Sequence, residues 1–288
     1  MTRLLTQHPF DEAQALSLLV ASAQAHGRDA PRQFEGRPHP AYANMVGPFG
    51  GITAAQALQA VMLHPERLGE PVALTVNFAA ALLDAPFRVQ AQPVRTNRST
   101  QHWAVTLWQQ ADGGVEEVML TATCVTAKRR ETWSATDAPM PRVPAPQDVP
   151  RVPLLRKAVK WIERYDIRPI SGAIPSDWNG AEADSLTRQW LRDEPPRPLD
   201  FLSLTALADA FFPRIWRRRA LLTPAGTVSM TVYFHASAAE LAATGEGYLL
   251  GQARAQSFFN GYFDQSAELW NEAGQLLATT HQIVYYKE

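Results

Sequence analysis

At 288 residues the chain is long enough for two domains of ordinary size or one large one, with a real core in either case. A hydrophobic share of 46% and a charged share of 19% exclude a disordered or membrane-embedded chain. The formal net charge of -1 supplies no positive field to hold a polyanion, so nucleic acid is not an expected partner.

Near the N-terminus, residues 15–25 (ALSLLVASAQA) imitate the apolar core of a secretory leader, but Asp11 and Glu12 stand where a positive flank belongs. The stretch reads as an amphipathic helix. No apolar run approaches the roughly 18 residues of a membrane span. A long helix is predicted from Gly51 to Leu63 (GITAAQALQAVML), with Pro65 as its stop. Gly50 and Gly51 suit either a plain turn or a close backbone approach at its start. Residues 74–80 (LTVNFAA) alternate as a strand, and three antiparallel strands follow within 87–127, as FRVQAQPV, WAVTLWQQ and VMLTATCVTA. Cys124, the chain's one cysteine, falls in the last of these, where a buried thiol is inert. It forms no internal disulfide and no cysteine-rich zinc site, which fits a reducing, cytoplasmic setting.

Prolines at 139, 141, 144, 146, 150 and 153 mark an extended linker, taken as 129–160 between an N-terminal unit (1–128) and a C-terminal unit (161–288). A second long helix is predicted over Leu199–Phe212, stopped by Pro213. It is apolar at nearly every angle, so it must be largely wrapped. The basic run Arg214, Arg217, Arg218 and Arg219 follows directly, and is either a solvated surface or a contact for phosphates. Residues 230–236 (MTVYFHA) form the next strand, and 248–286 yield three more, as YLLGQARA, QSAELWNEAG and LLATTHQIVYY.

The second series repeats the first. LTVNFAA and MTVYFHA share Thr-Val-x-Phe, with Thr75 and Thr231 separated by 156 positions, and Leu107-Trp108 and Leu269-Trp270 both precede a glycine turn. A long helix wrapped by a curved antiparallel sheet, occurring twice, predicts an α+β double hot-dog whose two sheets merge into one.

Asp209 is the anomaly in the second helix, flanked by Ala208, Ala210, Phe211 and Phe212. An isolated buried carboxylate is costly, and burial without a cation raises its pKa into the range of a general base. The alternative is a carboxylate at a solvent gap near the helix end. The first helix carries Ala60, Val61 and Met62 at the corresponding end, so packing alone does not demand the acid.

Four segments, GPFGGITAAQAL (47–58), LDFLSLTALADAFFP (199–213), TVSMTVYFH (227–235) and LWNEAGQLLATTHQ (269–282), occur in an order that resembles the acyl-CoA thioesterase II group and related thioesterase-like proteins. The resemblance covers nearly the whole chain. It implies an acyl-CoA substrate, no cofactor, and a water held and activated by an Asp, a Thr and a Gln, which match Asp209, Thr227 and Gln282. Ser229 and Met230 depart from the Asp-His pair usual in that group, and Ser229 and Thr231, of the same strand parity as Thr227, are rivals for the hydroxyl role. On its own, Gln282 reads as a solvent-facing strand residue.

An enoyl-CoA hydratase or dehydratase, with His235 or His281 near Asp209, and a non-catalytic acyl-binding protein are the competing functions. The scattered histidines show no helical metal spacing, and no G-x-S-x-G elbow or phosphate loop occurs. Association into a homo-oligomer through the hot-dog sheets is a further expectation.

Overall fold

The computed structural model describes residues 7–23, 27, 29–110, 114–152, 159–181 and 184–287. In chain order the first half contributes α1 (Pro9–Ala13), β1 (Ser17–Leu18), α2 (Val20–Ala23), β2 (Arg32–Gly36), α3 (Gly50–Met62), β3 (Glu70–Phe78), β4 (Phe87–Thr96), β5 (Thr100–Gln110) and β6 (Glu116–Ala127). The second contributes β7 (Tyr165–Ser171), β8 (Thr187–Asp193), α4 (Phe201–Leu207), α5 (Arg214–Arg219), β9 (Ala225–Phe234), α6 (Ala238–Thr244), β10 (Leu249–Arg254), β11 (Phe258–Phe259), β12 (Tyr262–Asn271) and β13 (Leu276–Tyr286). Among the described residues these strands form one antiparallel sheet of 13, in the order β1-β2-β4-β5-β6-β3-β9-β13-β12-β10-β8-β7, with β11 beside β12.

The two halves meet at β3 and β9, where the duplicated motif pairs with itself. Thr75 lies opposite Thr231, Leu74 opposite Val232 and Val76 opposite Met230, and the two threonine hydroxyls are 3.0 Å apart. A pseudo-twofold axis therefore passes through that pair, and outward from it β6 corresponds to β13, β5 to β12, β4 to β10 and β2 to β8. Period-two alternation puts one face of each strand inside, as in β5, where Trp103, Val105 and Leu107 are buried. One hydrophobic core then runs through both halves, joining Ile52 and Leu58 of α3 to Leu204 and Leu207 of α4 and to Leu74 and Val232 of the central strands.

Two expectations are corrected. Residues 15–25 are not one helix: Ser17 and Leu18 pair with Glu35 and Phe34, because the edge of β2 offers open backbone groups, and only Val20–Ala23 turn helical. Residues 24–25 of that stretch lie outside the described residues. The helix expected over Leu199–Phe212 is seven residues, Phe201–Leu207, capped by Asp200 accepting from the Ser203 N–H. It ends where the backbone tightens, with the Asp209 and Ala210 N–H groups reaching the Ala206 and Leu207 carbonyls three residues back, after which the Gln189 side chain takes the Ala210 carbonyl at 2.9 Å and Phe211 packs on Gly251 and Ala253. Pro213 also disfavours helical geometry at Phe212.

The described part of the proline-rich stretch lies against the second half. Ala138, Met140, Val143 and Val149 pack on Trp190, Tyr248, Leu250 and Trp270 on the outer side of the second half. The Trp190 and Trp270 indole N–H groups donate to the carbonyls of Pro144 and Ala138, both at 2.9 Å. Arg168 clamps the strap from below, donating to the Pro146 carbonyl at 2.8 Å while pairing with Asp166, which also accepts from the Tyr248 hydroxyl. Burial pushes the Asp166 carboxyl up, but the hydrogen bonds from Arg168 and Tyr248 outweigh it and hold it below the usual carboxylate range. A carboxyl depressed on folding stabilises above its unfolded pKa, about 3.9, and loses that contribution as pH falls through the folded value. Asp166→Asn is therefore expected to cost about 2 kcal/mol at pH 7 and progressively less in acid. Thermal melts of both proteins across pH 2–7 check this, and parallel curves would contradict it.

Candidate active site

Asp209 lies two residues beyond α4, in the turn that α4 makes when it breaks off, with its N–H on the Ala206 carbonyl at 3.1 Å. The side chain is 9% exposed and faces the start of α3 in the other half. There the Gly51 backbone N–H donates to the carboxylate, and a Cβ built on Gly50 would stand 2.9 Å from Oδ2. Neither glycine has a positive φ, so both are needed for space rather than for conformation. The close-approach reading of this pair is the one the structure supports. An α3 of 13 residues also directs the positive end of its dipole at the carboxylate.

On the opposite side Gln282, buried on the inner face of β13, donates from Nε2 to Asp209 Oδ1 at 2.9 Å. Thr227 Oγ1 donates to Gln282 Oε1 at 3.4 Å, a long contact. The three residues singled out in the sequence are thus brought together, and Gln282 is not solvent-facing. Burial raises the Asp209 carboxyl to about 7, against the lowering effect of the hydrogen bonds from Gln282 and Gly51. At neutral pH the group is poised between holding and releasing a proton.

A β-bulge separates the three rival hydroxyls. In the β9–β13 ladder Met230 lies opposite Gln282, Ser229 opposite Ile283 and Thr227 opposite Val284, so Val228 has no partner. The extra residue reverses the alternation. Thr227 therefore turns inward with Gln282, while Ser229 bonds Asn77 at 2.9 Å and Thr231 bonds Thr75, both away from the site. Simple strand parity, which grouped the three hydroxyls together, fails here for that reason.

The same bulge occurs in the first half, where Val72 is skipped between Pro71 and Ala73 in the β3–β6 ladder. Mapping across the axis shows what occupies the equivalent positions. Leu74, the counterpart of Met230, lies opposite Cys124, so Cys124 takes the place of Gln282 and Pro71 that of Thr227. The end of α3 offers Val61, fully buried, instead of a carboxylate. The Cys124 thiol is pushed up to about 12 by burial and is inert. Only the second half carries the polar side chains, and the first half brings the backbone of Gly50-Gly51 against the carboxylate.

Arg214 is entirely buried and spends its guanidinium on the carbonyls of Ser185 and Phe212 and on the Thr187 hydroxyl, so it is unavailable to a ligand. Arg217 lies 3.9 Å from Asp184, and the side chains of Arg218 and Arg219 reach the surface. No helix among the described residues is long and apolar enough to cross a membrane.

Two family models match this chain: the N-terminal domain of acyl-CoA thioesterases over residues 39–127 and their C-terminal domain over residues 136–286. The chain belongs to the acyl-CoA thioesterase family. Among solved structures, this family member is similar to a hot-dog protein of unknown function from Alicyclobacillus acidocaldarius, at 49% identity, covering 98% of this chain and 99% of that one, with a TM-score of 0.87. A protein of Thermobifida fusca YX, provisionally described as a thioesterase II, matches with a TM-score of 0.76 at 17% identity, covering 99% of this chain and 100% of that one. The acyl-CoA thioesterase II TesB2 of Mycobacterium marinum matches with a TM-score of 0.70 at 18% identity, covering 96% and 98%. The fold is accordingly a hot-dog fold. No curated protein sequence matches the chain.

Proposed function

We propose that the chain is a double hot-dog hydrolase that splits an acyl-CoA thioester into a free carboxylic acid and coenzyme A, at one site per chain. The observation that carries this is the Asp209 carboxyl, buried between the halves and clamped by the Gln282 amide and the Gly51 N–H. In this reading Asp209 takes a proton from a water as the water's oxygen adds to the thioester carbonyl carbon. Collapse of the adduct breaks the carbon–sulfur bond, and the proton returns from Asp209 to the leaving thiolate. A base whose pKa lies near the working pH is the efficient one. The first turn of α3, rich in backbone N–H groups without helical acceptors, is the natural support for the developing oxyanion. An apolar cavity of about 40 Å³ bordered by Gly50, Phe78, Met119 and Leu120 suits the acyl side.

A hydratase or dehydratase needs a histidine working with the acid. His281 sits exposed on the face of β13 opposite to Gln282, and His235 bonds Thr279 at 3.0 Å beyond the end of β9, so neither supports that reading. A cytoplasmic setting remains part of the proposal, on the strength of the single inert thiol. Free-thiol release from a panel of acyl-CoAs tests the whole: tight binding without release would leave an acyl-binding protein, and loss of an enoyl double bond without release would leave a hydratase.

Thr227 acts through Gln282. Its single long bond is worth about 1 kcal/mol, so Thr227→Val is expected to lower kcat about fivefold. Ser229→Ala and Thr231→Val should leave kcat unchanged. Equal losses in all three variants would show that the bulge does not select the hydroxyl.

A further inference from the structure

We infer that a groove between α5 and the end of the central strands is the seat of the nucleotide end of coenzyme A. It is lined by Ile215, Arg218, Arg219, Phe258 and Tyr286 and has a volume of about 300 Å³. The inference rests on the acyl-CoA reading above and extends it to the part of the substrate remote from the reacting bond.

Charge is the first argument. The chain is almost neutral overall, yet Arg218 and Arg219 are adjacent and exposed at one mouth of this groove. Guanidinium forks match phosphate oxygens two at a time, and the nucleotide of coenzyme A carries a diphosphate and a further phosphate monoester. The opposite wall is aromatic. Phe258 stacks on Phe263 with ring centroids 5.6 Å apart, and Phe263 leans on Tyr286 at 6.2 Å, so the wall is a packed, half-buried surface rather than loose side chains. Such a platform takes a purine face, and base–aromatic stacking adds to phosphate contacts in nucleotide binding. The combination favours an aromatic anion over a simple one.

Reach is the second argument. Gln282, Val284 and Tyr286 share one face of β13, so the groove begins four residues from the amide that holds Asp209. At a rise of about 3.3 Å per residue this is roughly 13 Å. The arm of coenzyme A between its sulfur and its first phosphorus contains about as many backbone bonds as four or five peptide residues, and spans roughly 15 Å when extended. The route is also open to solvent. Ala225, opposite Tyr286, and Thr227, opposite Val284, are only half-buried, and Gly226 lies between them. An arm lying along this margin of β9 would place its sulfur near Thr227 and its phosphates at Arg218 and Arg219.

The test uses the full chain. Affinity for desulfo-coenzyme A, which lacks the sulfur and cannot be hydrolysed, is measured by calorimetry for the wild type and for the double variant Arg218→Gln, Arg219→Gln. The expected result is a weakening of at least about tenfold. In turnover, the preference of the wild type for an acyl-CoA over the same acyl group on N-acetylcysteamine, which has no nucleotide, should collapse by a similar factor in the variant, through KM rather than kcat. Equal affinity of both proteins for desulfo-coenzyme A overturns the inference. So does a wild type that hydrolyses both thioesters equally well, a result that needs no variant. If the wild type releases no thiol but binds desulfo-coenzyme A in an arginine-dependent way, the nucleotide seat stands and the hydrolytic reading falls.

Discussion

Asp209→Asn is expected to lower kcat by 10² to 10⁴ while leaving a protein that is better folded than the wild type, because the group assigned to proton transfer is also the least comfortable one in the core. The stability half of this result depends on pH, and its sign is opposite to that of an ordinary ion-paired carboxylate. Burial raises the folded carboxyl to about 7, above the roughly 3.9 of an unfolded Asp. Between those values the folded state binds more protons than the unfolded state, so the wild type loses stability as pH rises from about 4 to 7, by at most about 4 kcal/mol. The neutral Asn carries no such penalty. Its advantage should be absent near pH 4 and full above pH 7, which thermal melts at a series of pH values would show. In turnover the wild type's kcat/KM should climb with pH and level off above about 7, since the base must be deprotonated to accept a proton. A variant that keeps its rate, or one that is less stable than the wild type at pH 8, would contradict the assignment.

The two adjacent glycines at the start of α3 are expected to fail in different ways when each is replaced by alanine. A methyl on Gly50 meets Asp209 Oδ2 at 2.9 Å, the mobile end of a side chain, which can yield only by leaving its place against Gln282. The chain should fold, helped by the better helix propensity of alanine, yet lose about 10² in kcat, the usual cost of misplacing a reacting group by about 1 Å. A methyl on Gly51 meets the Ala206 carbonyl at 2.7 Å and the Phe49 ring at 2.5 Å. One of these is the backbone of α4 and cannot swing aside. Gly51→Ala should therefore force the helices apart at a cost of about 1–3 kcal/mol, lowering the melting temperature as well as the rate. Measuring rate and melting temperature for both variants separates the cases. Identical behaviour would mean that the carboxylate and the helix contact are not distinct constraints.

The duplicated strands were legible because Thr-Val-x-Phe recurs in the two segments that pair across the axis, where both must satisfy the same packing. Asp209 and Gln282 stood out for opposite reasons, one as a charge among apolar neighbours and the other through a likeness in order of motifs. The bulge at Val228 left no mark, since a valine looks the same whether it is paired or skipped, and so the hydroxyl facing Gln282 could not be chosen from alternation. The early end of α4 was equally hidden. It is set by a switch of the backbone bonds from four residues back to three at Asp209, with Gln189 from another strand holding the Ala210 carbonyl beyond it. The strap over Trp190 and Trp270 was masked by its prolines, which announce extension but not what the extended chain lies against.

The self-pairing of β3 with β9 has a consequence for how the protein behaves on dilution. Geometrically the contact is that of two identical subunits closing on each other, and in a dimer of that kind a cleft that borrows a backbone N–H from its neighbour empties as the subunits dissociate. Here the neighbour is tethered by the same polypeptide, so its local concentration is set by the tether and not by the solution. Specific activity should accordingly hold constant down to the lowest enzyme concentrations that can be assayed.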